Sequence, residues 1–100
     1  MKNSDINRVF KRGNTIAGNF IFLRSAKNNL GLSRFAFIVG FKVSRKAVIR
    51  NKIKRNLREV VRKNLSQIKS GLDFLIIAKP SIINKNSKEI ETEMKKLFLK

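Results

Sequence analysis

The sequence contains no cysteine and no histidine among its 100 residues. Disulfide bonds, thiol nucleophiles, ordinary zinc sites and imidazole acid–base chemistry are therefore excluded. The longest stretch without a polar side chain is seven residues, Phe35 to Phe41, against about 20 for a membrane helix. We therefore expect no membrane-spanning segment. Because the first 13 residues include Asp5 and lack an apolar segment typical of secretion signals, we also expect a cytoplasmic protein.

Acidic residues are scarce as well. Six Asp and Glu face 24 Lys and Arg, which gives a formal net charge of +18. The chain is 42% hydrophobic and has eight Phe, which is enough for one core and predicts a single domain over residues 1–100. Repulsion among so many cations weakens a compact fold, so the composition indicates a polyanionic partner, either nucleic acid or an anionic membrane.

The positive charge is concentrated in one segment. Lys42 to Lys63 carries ten basic residues and one acidic residue in 22 positions, whereas residues 87–100 hold four basic and three acidic residues. A solvated helix face is the alternative interpretation of such a run. Ordinary solvated helices mix the two signs of charge, however, so phosphate contact is the better interpretation.

Periodicity and turn residues predict an α+β chain with helices packed on a mixed sheet. The segment 35–42 is apolar on both faces and is expected to be a central strand. Asn86 and Glu89 have the spacing of a capping box. The predicted elements are a helix over residues 5–12 that stops at Gly13, strands near 15–17, 20–25, 35–42 and 73–79, a helix from a Ser44 cap to about 66, and a last helix after Asn86.

A helical projection sorts the polar residues of the long helix. One stripe beside the apolar arc holds Asn51, Lys54, Arg55, Arg58 and Arg62, and the far side holds Lys52, Glu59 and Lys63. Arg50 falls within the apolar arc, so we expect it to reach a cleft between helix and sheet, where its guanidinium could pair with phosphates.

Most of the Phe residues have strand or helix spacing that predicts core positions. Base stacking is a reasonable expectation only for Phe10, Phe20 and Phe22. The carboxylates form no sequence pattern typical of a metal-dependent nuclease, and no activated nucleophile can be singled out. We therefore predict no catalytic residue and no metal site in the polypeptide.

The stretch Lys46-Ala47-Val48-Ile49-Arg50-Asn51-Lys52-Ile53-Lys54-Arg55-Asn56-Leu57-Arg58-Glu59 closely resembles the signature A-V-x-R-N-x-x-K-R-x-x-R-E of the bacterial ribonuclease P protein subunit. Similarity extends over almost the whole chain, including Phe10-Lys11 followed by Gly13 and a strand that ends in Ala78-Lys79-Pro80. The resemblance implies the order αβββαβα, with a left-handed βαβ crossover in place of the usual right-handed one, in a fold also found in a ribosomal protein domain.

The resemblance also implies a function. The family's protein is the small cofactor of a catalytic RNA, which uses magnesium, held mainly by the RNA, to remove the 5′ leader of precursor tRNA by phosphodiester hydrolysis. No obligatory protein partner is implied. Carried over by position, the leader-binding residues are Phe10, Arg50, Asn51, Lys54 and Arg58, in a cleft between the long helix and the sheet. The residues expected to bind the catalytic RNA are Lys42, Arg45, Lys46, Lys52, Arg55 and Arg62.

Two other functions stay open on the sequence alone. A ribosomal or general RNA-binding protein would have the same charge without a role in processing. A DNA-binding module is a weaker alternative, since strands flank the basic helix where a helix-turn-helix would have helices.

Overall fold

The computed structural model describes residues 2–99, which form one mixed sheet with three helices. The order confirms the predicted αβββαβα arrangement. Short 3-10 turns at Leu65–Gln67 and Pro80–Ile82 lie on either side of the last strand. No helix in the described part of the chain is long and apolar enough to cross a membrane. The elements are α1 Asn3–Arg12, β1 Asn14–Ala17, β2 Ile21–Lys27, β3 Arg34–Ile38, α2 Ala47–Lys63, β4 Leu72–Ala78 and α3 Ser87–Phe98.

The strands are arranged in the order β1-β2-β4-β3. Neighbours pair antiparallel except β3 and β4, which are parallel and are joined through α2. The expectation that the segment 35–42 is central is wrong, because β4 inserts between β2 and β3 and leaves β3 at an edge. This strand also ends early, at Ile38, since the amide of Val43 bonds the carbonyl of Gly40 (3.1 Å) and turns the chain toward α2.

The two faces of the sheet carry different helices. Alternate residues such as Leu23, Phe74 and Ile76 join the core beneath α2 and α3. Arg24, Asp73 and Leu75 alternate with them and so point to the opposite face. Backbone carbonyls of α1 accept hydrogen bonds from Arg24, and Arg8 of α1 bonds Asp73, so α1 lies on that opposite face.

Helix α2 begins later than the sequence predicts. Lys46 is the residue before its first turn, and no side chain caps it. Ser44 does not cap the helix because its hydroxyl accepts from the amide of Lys46 (3.1 Å) in a local turn. The predicted apolar arc is buried through Ile53, Leu57, Val60 and Val61, whereas Leu65 lies beyond the helix end and is 52% exposed.

An ion network attaches α1 to the sheet. Asp73 is completely buried, and its carboxylate accepts two hydrogen bonds from Arg34 (2.8 and 2.7 Å), one from Arg8 (2.5 Å) and one from Asn28 (2.9 Å). The Arg34 hydrogen bonds hold the pKa of Asp73 below its ordinary value of 3.8. The charged carboxylate of Asp73 therefore has a structural role, because it holds α1 and β3 together.

Two predicted helix boundaries are confirmed. Gly13 follows α1, and a Cβ at this position would collide with the carbonyl oxygens of Val9 and Ser25, so the close approach of two backbone segments requires glycine. Asn86 and Glu89 form the predicted capping box, with the Glu89 amide 2.8 Å from the Asn86 side-chain oxygen. The last helix then buries Ile90, Met94 and Leu97.

Candidate nucleic-acid interface

Helix α2 and the loop before it present an exposed cationic surface. Its five basic side chains form no salt bridge with any carboxylate in residues 2–99. An unpaired, solvated cation can contact a phosphate without first breaking an internal ion pair. We call this set the outer α2 surface; it consists of Lys42, Arg45, Lys46, Lys52 and Arg55.

Arg62 differs from these five residues. Its guanidinium donates to both carboxylate oxygens of Glu59 (Nε to Oε2, 3.0 Å; Nη2 to Oε1, 2.5 Å), and this bond lowers the pKa of Glu59. The projection placed the two residues on different sides of the helix, but residues three apart are neighbours. Because Glu59 offsets part of the positive charge of Arg62, an RNA contact at Arg62 stays a prediction.

A second row on α2 faces the edge strand. The Arg58 guanidinium lies 5.5 Å from the centre of the Phe37 ring on β3. Arg50 lies 4.6 Å from the centre of the Phe41 ring, beyond the end of β3, and donates to the carbonyl of Ser44 (3.0 Å). Lys54, which lies between Arg50 and Arg58 in the sequence, is half-buried, and Asn51 is exposed. Arg50 is half-buried, but these contacts are with the loop between β3 and α2, so its phosphate contact in a helix–sheet cleft stays a prediction.

Between α2 and the edge strand lies a groove of about 620 Å³. Its apolar lining includes Phe35, Phe37 and Leu65, and its cationic lining includes Arg58 and Arg55. Aromatic rings beside guanidinium groups suit a ligand that has both flat bases and phosphates. This groove is the feature that best matches the predicted helix–sheet cleft.

Phe10 lies outside that groove, on α1 and across the sheet from α2. The residue is 45% exposed, and the centre of its ring lies 5.5 Å from the guanidinium of Arg24. The predicted leader residues therefore do not form one cleft, because the projection of a single helix cannot show which face of the sheet another helix covers. Arg24 was missed, although strand alternation with Phe22 could have placed it on this face.

The sheet on the α1 side is only partly covered. Phe22, Ile38 and Ile77 lie on this face at the end of the sheet where β2 begins and β3 and β4 end, and all three are half-buried. The ammonium of Lys79 lies 4.3 Å from the centre of the Phe22 ring and donates to the carbonyl of Gly18 (2.7 Å). We call this surface the sheet platform: Phe22, Ile38, Ile77 and Lys79, with Phe10 and Arg24 at its border.

Base stacking at Phe20 is not supported by the structure. Phe20 is only 9% exposed and belongs to the core. The chain turns just before it, because the amides of Asn19 and Phe20 donate to the buried carboxylate of Glu93 (2.7 and 2.9 Å). The sequence places Glu93 on the last helix, and nothing in its spacing indicates a partner more than 70 residues away.

Several of the carboxylates bond groups within the protein and stabilise its fold. Asp73 and Asp5 bond Arg34, Glu59 bonds Arg62, and Glu93 holds the turn before β2. Within residues 2–99, no three acidic side chains come together in an arrangement that could hold a metal ion. The chemistry that this surface supports is binding of a polyanion.

Comparisons with known proteins agree with that chemistry. The chain is 37% identical to the ribonuclease P protein component of Fusobacterium nucleatum subsp. nucleatum, with 97% of this chain and 90% of the relative covered. It is 36% identical to that of Pelotomaculum thermopropionicum, with coverages of 97% and 86%.

Solved structures show the same fold. The RNase P protein from Thermotoga maritima, in complex with 1-(4-fluorophenyl)-2-thiourea, superposes with a TM-score of 0.90 at 27% identity and coverages of 96% and 92%. The Staphylococcus aureus RNase P protein gives a TM-score of 0.87 at 28% identity and coverages of 96% and 87%. The family model described as Ribonuclease P matches residues 1–100. The chain therefore belongs to the ribonuclease P protein family, whose members are the protein component of ribonuclease P.

Proposed function

We propose that this protein binds a catalytic RNA and precursor tRNA in the cytoplasm, and that the RNA performs the hydrolysis that removes the 5′ leader. The polypeptide supplies binding surfaces and no reacting group. One observation carries the proposal: the outer α2 surface is exposed, cationic and unpaired, in a family whose relatives are ribonuclease P protein components. We assign that surface to the phosphates of the catalytic RNA.

The groove beside α2 extends the same interface. Arg58 covers a ring of β3 on one side of α2, and Lys54 lies one turn before it. Both residues were predicted to contact the leader. Because they lie across the sheet from Phe10, we propose that they bind the catalytic RNA together with the outer α2 surface.

The sheet platform is our proposed site for the leader. A sheet face with accessible aromatic rings binds single-stranded RNA by stacking its bases, while neighbouring cations hold the phosphates. The platform has Phe10 and Phe22 for the first role and Arg24 and Lys79 for the second. Arg50 and Asn51, at the start of α2, are its proposed neighbours beyond the end of β3.

Magnesium fits the RNA better than this chain. Magnesium prefers several oxygen ligands in octahedral geometry, whereas Asp5, Asp73 and Glu59 bond arginine side chains and the Glu93 carboxylate bonds backbone amides. These four carboxylates are therefore already engaged within the protein, and no three acidic side chains in residues 2–99 come together in an arrangement that could hold a metal ion. We propose that the RNA holds the metal.

Preference for precursor over mature tRNA tests the proposal. The holoenzyme, assembled from protein and cognate RNA, should bind a precursor with a leader of several nucleotides more tightly than the mature tRNA. Because we assign Lys79 to a leader phosphate, Lys79→Ala should reduce this preference by about 12- to 140-fold, which corresponds to about 1.5 to 3 kcal/mol for a hydrogen bond to a charged group. Lys88→Ala, which removes the same charge from α3, should leave it unchanged.

A general RNA-binding protein predicts a different result. It would bind precursor and mature tRNA equally, and Lys79→Ala would weaken both by the same factor. That outcome would contradict both the processing role and the assignment of the platform.

A further inference from the structure

Phe41 is the most exposed of the eight phenylalanines. The residue is 74% exposed, and only Phe10, at 45%, is comparable. The other six are buried or half-buried. A large aromatic ring in water gains free energy when a flat apolar partner covers it. The structure leaves this ring accessible beside the most basic segment of the chain.

Two local contacts position Phe41, one through the backbone and one at the ring. The hydrogen bond from the Val43 amide to the Gly40 carbonyl (3.1 Å) closes a turn with Phe41 at its corner. The Arg50 guanidinium lies 4.6 Å from the ring centre and is itself fixed by its bond to the Ser44 carbonyl (3.0 Å). One face of the ring is therefore covered by a fixed cation, and the other is available.

The charge around Phe41 indicates which kind of ligand can cover the free face of its ring. No Asp or Glu occurs between residues 6 and 58. Lys42, Arg45 and Lys46, which follow Phe41 closely, are exposed and form no salt bridge within residues 2–99. An occupant must combine a flat apolar surface with negative charge, and a nucleotide in single-stranded RNA has both.

We propose that Phe41 and Arg50 form a stacking site for one unpaired nucleobase, with the adjoining phosphates bound by the cations that follow Phe41. This inference rests on the RNA-binding function proposed above and adds a base-binding position that the signature helix alone does not indicate. The base stacks on the outer face of the ring. Insertion between ring and guanidinium would need about 7 Å, two contacts of about 3.5 Å, whereas the gap is 4.6 Å.

The absence of tryptophan and tyrosine from the sequence makes the site directly observable. Phe41→Trp introduces a single tryptophan, and its emission should be quenched saturably by an adenosine octamer. An abasic octamer with the same phosphates should not quench it. The matched control is Leu99→Trp, at a side chain that is 61% exposed and follows the nearly neutral last helix. Its emission should be unaffected by either oligomer.

Phe41→Leu tests the contribution of the ring without a reporter. The exposed ring contributes little to the core, so the thermal unfolding midpoint should stay that of the wild-type protein. Affinity for the adenosine octamer should fall by about 5- to 140-fold, which corresponds to about 1 to 3 kcal/mol per stacked base. Affinity for the abasic octamer should not change.

The source of the base is distinguished by binding assays on the Phe41→Leu holoenzyme. Weaker binding of a precursor with a long leader, but not of one with a single-nucleotide leader, would assign the base to the leader. Weaker binding of the catalytic RNA would assign it to that RNA. Unquenched emission in Phe41→Trp together with unchanged affinities in Phe41→Leu would overturn the stacking site. Failure of the proposed function would instead be seen in the wild-type protein, as no stimulation of the catalytic RNA.

Discussion

The outer α2 surface makes a quantitative prediction about salt dependence. Lys52 is exposed and forms no salt bridge within the described residues, so its full charge is available to one phosphate. Each phosphate neutralised contributes about 0.7 to 0.9 to the slope of log affinity against log salt concentration. Lys52→Ala should therefore reduce the slope for binding the catalytic RNA by that amount.

The expected change is measurable by filter binding or fluorescence anisotropy between about 50 and 200 mM salt. Over this range, the affinity gap between wild-type protein and Lys52→Ala should narrow by about threefold, because the lost contact is itself sensitive to salt. Lys52→Arg should keep the wild-type slope, since it keeps the charge.

Lys88→Ala is the matched control. Lys88 lies on α3, where three acidic residues balance the basic ones, and its loss should change neither the slope nor the affinity. Equal slopes for Lys52→Ala and Lys88→Ala would refute the argument. An equal reduction would show that RNA responds to net charge and not to a particular face, and two wild-type slopes would show that Lys52 contacts no phosphate.

The remaining predictions concern specific contacts. Glu59→Gln should release Arg62 and steepen the salt slope by up to about 0.7 to 0.9 if that arginine then binds phosphate; an unchanged slope would place Arg62 outside the interface. Asp73→Asn should cost about 3 kcal/mol of stability at pH 7 in urea unfolding. Because its folded-state pKa is lowered from 3.8, that deficit should shrink as the pH falls below this value, and a pH-independent deficit would contradict the role of its charge. Gly13→Ala should cost about 1 to 3 kcal/mol through its collision with two carbonyls, whereas Gly40→Ala, with open space around it, should have no comparable effect.

Much of the fold could be predicted because local patterns determine it. The spacing of Ile53, Leu57, Val60 and Val61 predicted the buried side of α2, and the capping box at Asn86 predicted the start of α3. These features depend on residues a few positions apart, so a single sequence contains all the information that they need.

The position of each strand in the sheet could not be predicted in the same way. The apolar residues on both sides of segment 35–42 indicated a central strand, yet β4, more than 30 residues later, takes the central place beside it. An edge strand can also have both faces half-buried when helices cover the two sides of the sheet. The order of strands depends on the crossover through α2, which leaves no local signal.

The candidate site could also be predicted only in part, because it depends both on local helical spacing and on which elements the fold brings together. The row of Arg50, Lys54 and Arg58 along α2 follows from helical spacing, and the structure places two of its members over aromatic rings. Phe10 and Arg58 were assigned to one cleft, but they lie on opposite sides of the sheet. Their separation is a consequence of tertiary packing, which positions matched to a signature do not record.

The central claim is that this chain assists a catalytic RNA and supplies no catalytic group. Its most direct test is the cleavage rate of precursor tRNA as a function of magnesium concentration, with the cognate RNA alone and with the purified protein added. We predict that the protein restores cleavage at magnesium concentrations where the RNA alone is nearly inactive, and that the protein alone cleaves nothing. An identical magnesium dependence with and without the protein, or cleavage by the protein alone, would contradict the account.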